Sequence, residues 1–128
     1  MKLPGGLADL GEDFGAAAVR EVREETGVHA EFEALLTVRQ QHGLQFGRSD
    51  LYAIVLLRAR STEIKRDEYE LEDARWMPLD EFARTVNHPM IQAAVRVASG
   101  EGGVPLCLEE HPSVVPGRGP YKLYYAAK

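Results

Sequence analysis

Residues 5–28 read GGLADLGEDFGAAAVREVREETGV, and this stretch decides the fold. Its second half predicts a helix, because Asp13 is a suitable N-cap and three consecutive alanines follow shortly after it. Gly27 stands where a left-handed C-terminal cap belongs. Its first half contains two adjacent glycines, which permit a tight turn and a close approach of the backbone to a ligand. The stretch therefore predicts a glycine turn followed by a helix that ends near Gly27.

The acidic residues of this helix occupy unfavourable positions. Glu24 and Glu25 fall in its last turn, at the negative end of the helix dipole. Glu21 and Glu25 are a like-charge pair four residues apart, which is a second small penalty. At about 100° per residue, both of these glutamates lie within the apolar stripe that includes Phe14 and Val22. Carboxylates that point towards the body of the protein need an interaction that favours them.

A metal ion would supply that interaction. Partly buried charges are costly unless they are paired or bind a cation, and clustered carboxylates suit Mg²⁺ or Mn²⁺, which often bridge to substrate phosphates. The alternative is a solvated helix in which Arg20 and Glu24 form an ordinary surface salt bridge. That alternative does not explain acids on the apolar stripe after a glycine turn. We therefore favour a metal site.

The same residues resemble a known motif, the Nudix box. The match covers its defined positions, which are Gly6, Glu12, Arg20, Glu21, Val22, Glu24, Glu25, Gly27 and Val28. This motif is long and specific. The resemblance implies a hydrolase that uses Mg²⁺ or Mn²⁺ to cleave the diphosphate bond of nucleoside diphosphate derivatives.

The resemblance also implies individual roles. Arg20 would orient a glutamate, and Glu12 would stabilise the structure of the loop and helix. Glu24 would be a ligand or a helper in catalysis. The implied metal ligands are Glu21, Glu24, Glu25 and the carbonyl group of Gly5.

Later segments are similar to one branch of this family. They are 38–42, 46–52, 70–77 and 121–124, and they look like the antisense fibroblast growth factor protein and plant ADP-ribose and NADH diphosphatases. The implied fold is α/β, of the α+β type, with a mixed sheet flanked by helices. Such domains begin with strands before the box, whereas this chain reaches the box almost at once. We therefore expect residues 1–128 to form a single domain that lacks its leading strands.

A second acid outside the box often serves as the catalytic base in this family. Glu70 and Glu72 are the candidates, because they lie before Trp76 in a segment that could fold over the metal. The alternative is a solvated acidic loop.

Residues that could contact the substrate follow the box. Arg39, Arg48 and Lys65 could contact phosphate, and Phe46 or Tyr52 could stack on adenine. Each of these residues has an ordinary structural alternative, and Tyr52 is expected to lie in the core. None of the four histidines has the spacing of a metal ligand.

The remaining pattern predicts strands at 31–40, 51–60 and 74–77, with the apolar run 51–57 buried. It predicts a helix capped near Asp80 and another at 89–99. Residues 100–119 are predicted to form a loop rich in glycine and proline, before a final strand at 121–126.

The composition narrows the class of partner. The formal net charge of −5 argues against nonspecific nucleic-acid binding, and no apolar run is long enough to span a membrane. The single cysteine, Cys107, excludes an internal disulfide and fits a reducing compartment, so we expect a cytoplasmic protein with a partly buried thiol. Exposed sheet edges would favour a homodimer.

Two functions remain at this point. The first is Mg²⁺-dependent or Mn²⁺-dependent hydrolysis of a small nucleotide substrate, with ADP-ribose or NADH as the expected substrates and AMP as a product. The alternative is a noncatalytic Nudix-like module that binds nucleotides or a regulatory partner.

Overall fold

A computed structural model of the chain describes residues 3–9, 11–43, 47, 50–65 and 74–127. The described residues form three helices and four strands, and the predicted α/β class is confirmed. In chain order the elements are α1 (Phe14–Thr26), β1 (Ala30–Gln41), β2 (Asp50–Ala59), α2 (Leu79–Thr85), α3 (Pro89–Ala98), β3 (Cys107–His111) and β4 (Tyr121–Tyr125). Within the described ranges, none of the helices has the length and apolar character that crossing a membrane requires.

The described strands form two antiparallel pairs. β1 pairs with β2, and β3 pairs with β4. An isolated antiparallel bridge joins the two pairs, with 2.9 Å hydrogen bonds in both directions between the backbones of Leu35 and Leu106. Leu35 is only 2 % exposed, so this bridge lies at the centre of the described core.

Helix α1 begins and ends where the sequence predicts. Asp13 is its N-cap, and the side chain of Asp13 lies 3.8 Å from the ammonium group of Lys122 on β4. Gly27 is its C-cap with φ of 78°, and the amide of Gly27 donates to the carbonyl of Arg23 at 2.8 Å. A side chain at Gly27 would be strained in this left-handed conformation.

The first turn of α1 packs closely against β1 and β4. The ring of Tyr124 lies 5.7 Å from the ring of Phe14 and 6.3 Å from that of Phe32, measured between centroids. Gly15 is buried against Phe32, and a Cβ atom at Gly15 would lie 2.6 Å from the Phe32 ring. This contact sets the distance between α1 and the sheet.

We therefore expect Gly15→Ala to destabilise the protein. Alanine improves helix propensity by up to about 1 kcal/mol, whereas overpacking a tight contact costs about 1–3 kcal/mol. The expected result is a net loss of about 1 kcal/mol in the free energy of unfolding, measured by urea denaturation. The double variant with Phe32→Leu should recover part of this loss, and a more stable single variant would contradict the close contact.

Several predicted elements are confirmed. β1 and β2 each begin one residue before the predicted strands at 31–40 and 51–60, and β4 covers most of 121–126. Helix α3 occupies most of 89–99, with the side chain of His88 accepting a hydrogen bond from the amide of Met90 at 3.2 Å.

Other predictions were wrong. Residues 74–78 form no strand; the side chain of Trp76 donates to the carbonyl of Thr62 at 2.6 Å instead. The helix predicted near Asp80 is confirmed as α2, but its N-cap is Pro78, so Asp80 lies inside its first turn. The predicted loop at 100–119 contains β3, whose CLEEH sequence has no clear apolar alternation and becomes a strand by pairing with β4.

The run at the start of β2 is not buried as predicted. Leu51 is 58 % exposed and Tyr52 is 49 % exposed, whereas Ile54 is buried. The buried residues Ala34, Leu35 and Ile54 lie around the middle of the β1–β2 pair. The first residues of β2 therefore lie at the margin of the described core, and Tyr52 is not a core residue.

Candidate functional site

The glycine turn lies directly against two glutamates of α1. The amide of Gly5 donates to Oε2 of Glu25 at 3.1 Å. A Cβ atom at Gly6 would lie 2.8 Å from the carboxylate of Glu21, so any side chain larger than hydrogen would displace that carboxylate. The two glutamates are four residues apart, and α1 therefore presents both on the side that faces this turn.

Arg20 holds three glutamates at once. Its Nε donates to Glu12 at 2.8 Å, and its Nη1 donates to Glu21 at 2.8 Å and to Glu24 at 3.2 Å. Its Nη2 donates to the carbonyl of Leu7 and to Glu12, both at 3.0 Å. Because a guanidinium has five N–H donors in a rigid fork, these contacts commit Arg20 to the site and leave little capacity for substrate phosphate.

These charges differ in exposure. The side chains of Glu12 and Glu21 are each 15 % exposed, whereas that of Glu24 is 50 % exposed. The hydrogen bond from Arg20 and a further bond from the amide of Asp9 lower the pKa of Glu12 to about 2. The hydrogen bonds that Arg20 donates to Glu12 and Glu21 raise the pKa of Arg20 above its usual range. Glu12 and Arg20 are thus both charged throughout the neutral range and fix the loop to α1.

The low pKa of Glu12 predicts a pH dependence of stability. In the unfolded chain this carboxyl has a pKa near 4.5, so it takes up a proton before the folded one does as the pH falls. Its contribution to stability is therefore complete above about pH 4.5 and is lost as the pH falls towards 2. Glu12→Gln should be less stable than wild type at pH 7, and this difference should shrink between pH 4.5 and 2 in urea unfolding curves. A constant difference would contradict the ion pair.

The site has donor chemistry that fits a hard divalent cation. The carboxylates of Glu21 and Glu25 face the glycine turn, while Glu24 is held at Arg20. In the ranges that the structure describes, no three histidine, cysteine, aspartate or glutamate side chains are gathered tightly enough to hold a metal by themselves. The two carboxylates would therefore need oxygen ligands from the backbone, water or substrate, as Mg²⁺ sites commonly have.

Arg39 lies away from the candidate metal site on α1. Its guanidinium stacks over the ring of Tyr52, 4.8 Å from the centroid. Phe32, which contacts α1, is paired with Leu57, and Arg39 is paired with Tyr52. Leu57 and Tyr52 are five residues apart on β2, so they point to opposite faces of the β1–β2 sheet. The structure does not bring Arg39 to the carboxylates of α1.

Lys65 is brought to the C-terminal end of α1. Its backbone amide donates to the carbonyl of Thr26. A Cβ atom added at Gly27 would lie 2.7 Å from the Cβ atom of Lys65. The other predicted site residues fall outside the described residues; they are Phe46, Arg48, Glu70 and Glu72.

Sequence reasoning missed two backbone contributions to the site. The amide of Asp9 donates to Glu12 at 2.8 Å, and the carbonyl of Leu7 accepts from Arg20 at 3.0 Å. The spacing of Asp9 and Glu12, three residues apart before a helix, resembles a capping box and could have indicated the first contact. The side-chain pattern contains no signal for the second, because it uses only a carbonyl group.

Comparison with known protein families points to the part of the chain that contains the glycine turn and α1. The family model described as NUDIX domain matches residues 1–99.

The chain belongs to the Nudix family.

Curated relatives agree with the predicted branch of the Nudix family. The chain is 50 % identical over 96 residues to Nucleoside diphosphate-linked moiety X motif 6 of Xenopus laevis, covering 73 % of the chain and 44 % of the relative. It is 45 % identical over 91 residues to Nudix hydrolase 2 of Arabidopsis thaliana, covering 71 % and 32 %. It is 40 % identical over 132 aligned positions to Nucleoside diphosphate-linked moiety X motif 6 of Homo sapiens, covering 97 % and 42 %.

The chain spans less than half the length of these relatives. Nudix hydrolases generally use divalent metal ions and act on small nucleotide substrates. The described site of this Nudix chain offers carboxylate oxygens for such an ion on the helix of the box.

Proposed function

We propose that this Nudix chain hydrolyses the diphosphate bond of nucleoside diphosphate derivatives with Mg²⁺ or Mn²⁺. ADP-ribose and NADH are the proposed substrates, and AMP is the proposed common product. The observation that carries this proposal is the close packing of the Gly5–Gly6 turn on Glu21 and Glu25, with Glu21 fixed by Arg20.

The net charge supports a role for the metal in binding. The chain carries a formal charge of −5, and its candidate site contains four glutamates, so an anionic diphosphate would be repelled. Arg20 is already committed to Glu12, Glu21 and Glu24. A divalent cation, when bound, supplies positive charge for the phosphate oxygens and lowers the pKa of an attacking water.

The residues of the chain divide the remaining work. Glu21 and Glu25 would hold the cation, and the Gly5–Gly6 backbone would let the substrate approach closely. Arg20 would keep Glu21 in one orientation. Glu24 is half exposed and is a candidate proton acceptor, as are Glu70 and Glu72, which lie outside the described residues.

The test is AMP release by the purified chain. ADP-ribose or NADH is incubated with the protein and Mg²⁺, Mn²⁺ or EDTA, and products are separated by chromatography after folding has been verified by circular dichroism. We expect AMP with ribose 5-phosphate from ADP-ribose, AMP with reduced nicotinamide mononucleotide from NADH, and no product in EDTA. A folded chain that binds nucleotide but releases no AMP with either metal would contradict hydrolysis and favour a noncatalytic binding module.

A further inference from the structure

Three buried polar atoms without hydrogen-bond partners lie together on the β1–β2 pair. In the described part of the chain they are Thr37 Oγ1, Arg39 Nε and Asp50 Oδ1. Thr37 is paired with Ile54, Arg39 with Tyr52 and Asp50 with Gln41, so all three side chains project from one face of the sheet. Buried polar groups normally have partners because leaving them unpaired costs free energy. Their clustering indicates that something else satisfies them.

This face is separate from the candidate metal site. Phe32 packs against Gly15 of α1 and is paired with Leu57. The pairing of β2 runs without a gap from Leu57 to Tyr52, and five steps along a strand reverse the face. The Arg39 and Tyr52 pair therefore lies on the side of the sheet away from α1.

The chemistry of the face combines a donor with an acceptor. Arg39 offers an N–H that lacks an acceptor, and Asp50 offers an oxygen that lacks a donor. They are diagonal neighbours on adjacent strands, with Cα atoms about 7 Å apart, yet the structure shows no ion pair between these two described residues. Tyr52 is about half exposed and already stacks on Arg39. A fitting ligand carries an anionic oxygen and a hydroxyl group a few ångströms apart.

We propose that Arg39, Tyr52 and Asp50 form a second binding site, for a phosphorylated ribose such as that of a nucleoside monophosphate. The phosphate accepts from Arg39, a ribose hydroxyl donates to Asp50, and Tyr52 supports the sugar or base. The unpaired atoms are closed to solvent while Arg39 lies on Tyr52. Binding therefore requires the flexible Arg39 side chain to turn away from the ring, and the unmade hydrogen bonds favour that exchange.

The experiment measures metal-independent binding of AMP by calorimetry in EDTA, with the same chain used throughout. We expect AMP to bind wild type, with affinity reduced roughly tenfold or more in Arg39→Gln and in Asp50→Asn, as for the loss of a charge-assisted hydrogen bond. Arg60→Gln and Asp80→Asn are matched controls, because their side chains are exposed, Arg60 pairs with Glu31 just beyond the other end of β2, and Asp80 pairs with Arg84 on α2. These controls should bind AMP as wild type does.

Further measurements distinguish AMP binding at this second site from binding at the metal site. Glu25→Gln should retain the metal-independent binding, and AMP should shift the ¹⁵N–¹H signal of Arg39 Nε as it leaves the Tyr52 ring. Loss of this binding in Glu25→Gln, or no AMP binding to folded wild type, would overturn the proposal. Equal affinity for AMP and inorganic phosphate would also overturn it, leaving an adventitious ion only. AMP binding without any AMP release would refute the proposed hydrolysis and leave this site standing.

Discussion

Glu25→Gln is expected to reduce AMP release from ADP-ribose by at least about 100-fold, the size of effect seen when one group that stabilises transition-state charge is removed. Glutamine keeps the shape of the side chain, and its carbonyl oxygen can still accept from the Gly5 amide, which now lies 3.1 Å from Glu25. The variant removes the negative charge needed by the cation. It also relieves repulsion with Glu21, so the fold should not be weakened.

The measurement is kcat and KM for ADP-ribose at several Mg²⁺ concentrations, together with urea unfolding of the same samples. Glu101→Gln is the matched control, because it removes one negative charge from an exposed position after α3. The control should retain wild-type kinetics. If Glu25→Gln keeps full activity, Glu25 is not a metal ligand; if it loses activity only by unfolding, its role is structural.

Arg20→Lys is expected to reduce activity about 10- to 100-fold, as is common when a residue that orients a metal ligand is replaced. Arg20 reaches Glu12, Glu21 and Glu24 through a planar fork. A lysine ammonium keeps the positive charge but cannot place donors in these directions at once. Glu21 would lose its fixed orientation, and the loop before α1 would lose its anchor.

Metal affinity is the readout that separates a positioning role of Arg20 from a role that depends on its charge alone. Mn²⁺ binding, followed by electron paramagnetic resonance, should weaken in Arg20→Lys alongside the fall in kcat. Arg96→Lys is the matched control, since Arg96 is exposed in the last turn of α3 and lies outside the site. Wild-type Mn²⁺ affinity and wild-type kcat in Arg20→Lys would show that Arg20 acts only through its charge.

The candidate site could be predicted in part from local spacing. Helix periodicity places Glu21 and Glu25 on one side of α1, and the structure has both beside the Gly5–Gly6 turn. The contact of Arg20 with Glu12, eight residues away, depends on how the loop folds back on the helix. The family motif indicated that both residues matter, but spacing alone does not give their geometry.

The strands were less predictable than α1. Simple alternation would put Leu35 on the face opposite Phe32, but a register shift between Phe32 and Ala34 returns Leu35 to the same face. β3 has no distinctive pattern of its own and forms by pairing with β4. These features depend on partners that are distant in the sequence.

The sequence by itself determined α1, its caps at Asp13 and Gly27, and the shared side of Glu21 and Glu25. These properties depend on residues within about one turn of each other, where the helix fixes geometry. Only the tertiary structure decided that Arg39 stacks on Tyr52 across the sheet from α1. Strand register and the face that a helix covers are set by long-range packing, and residue spacing along one strand does not specify them.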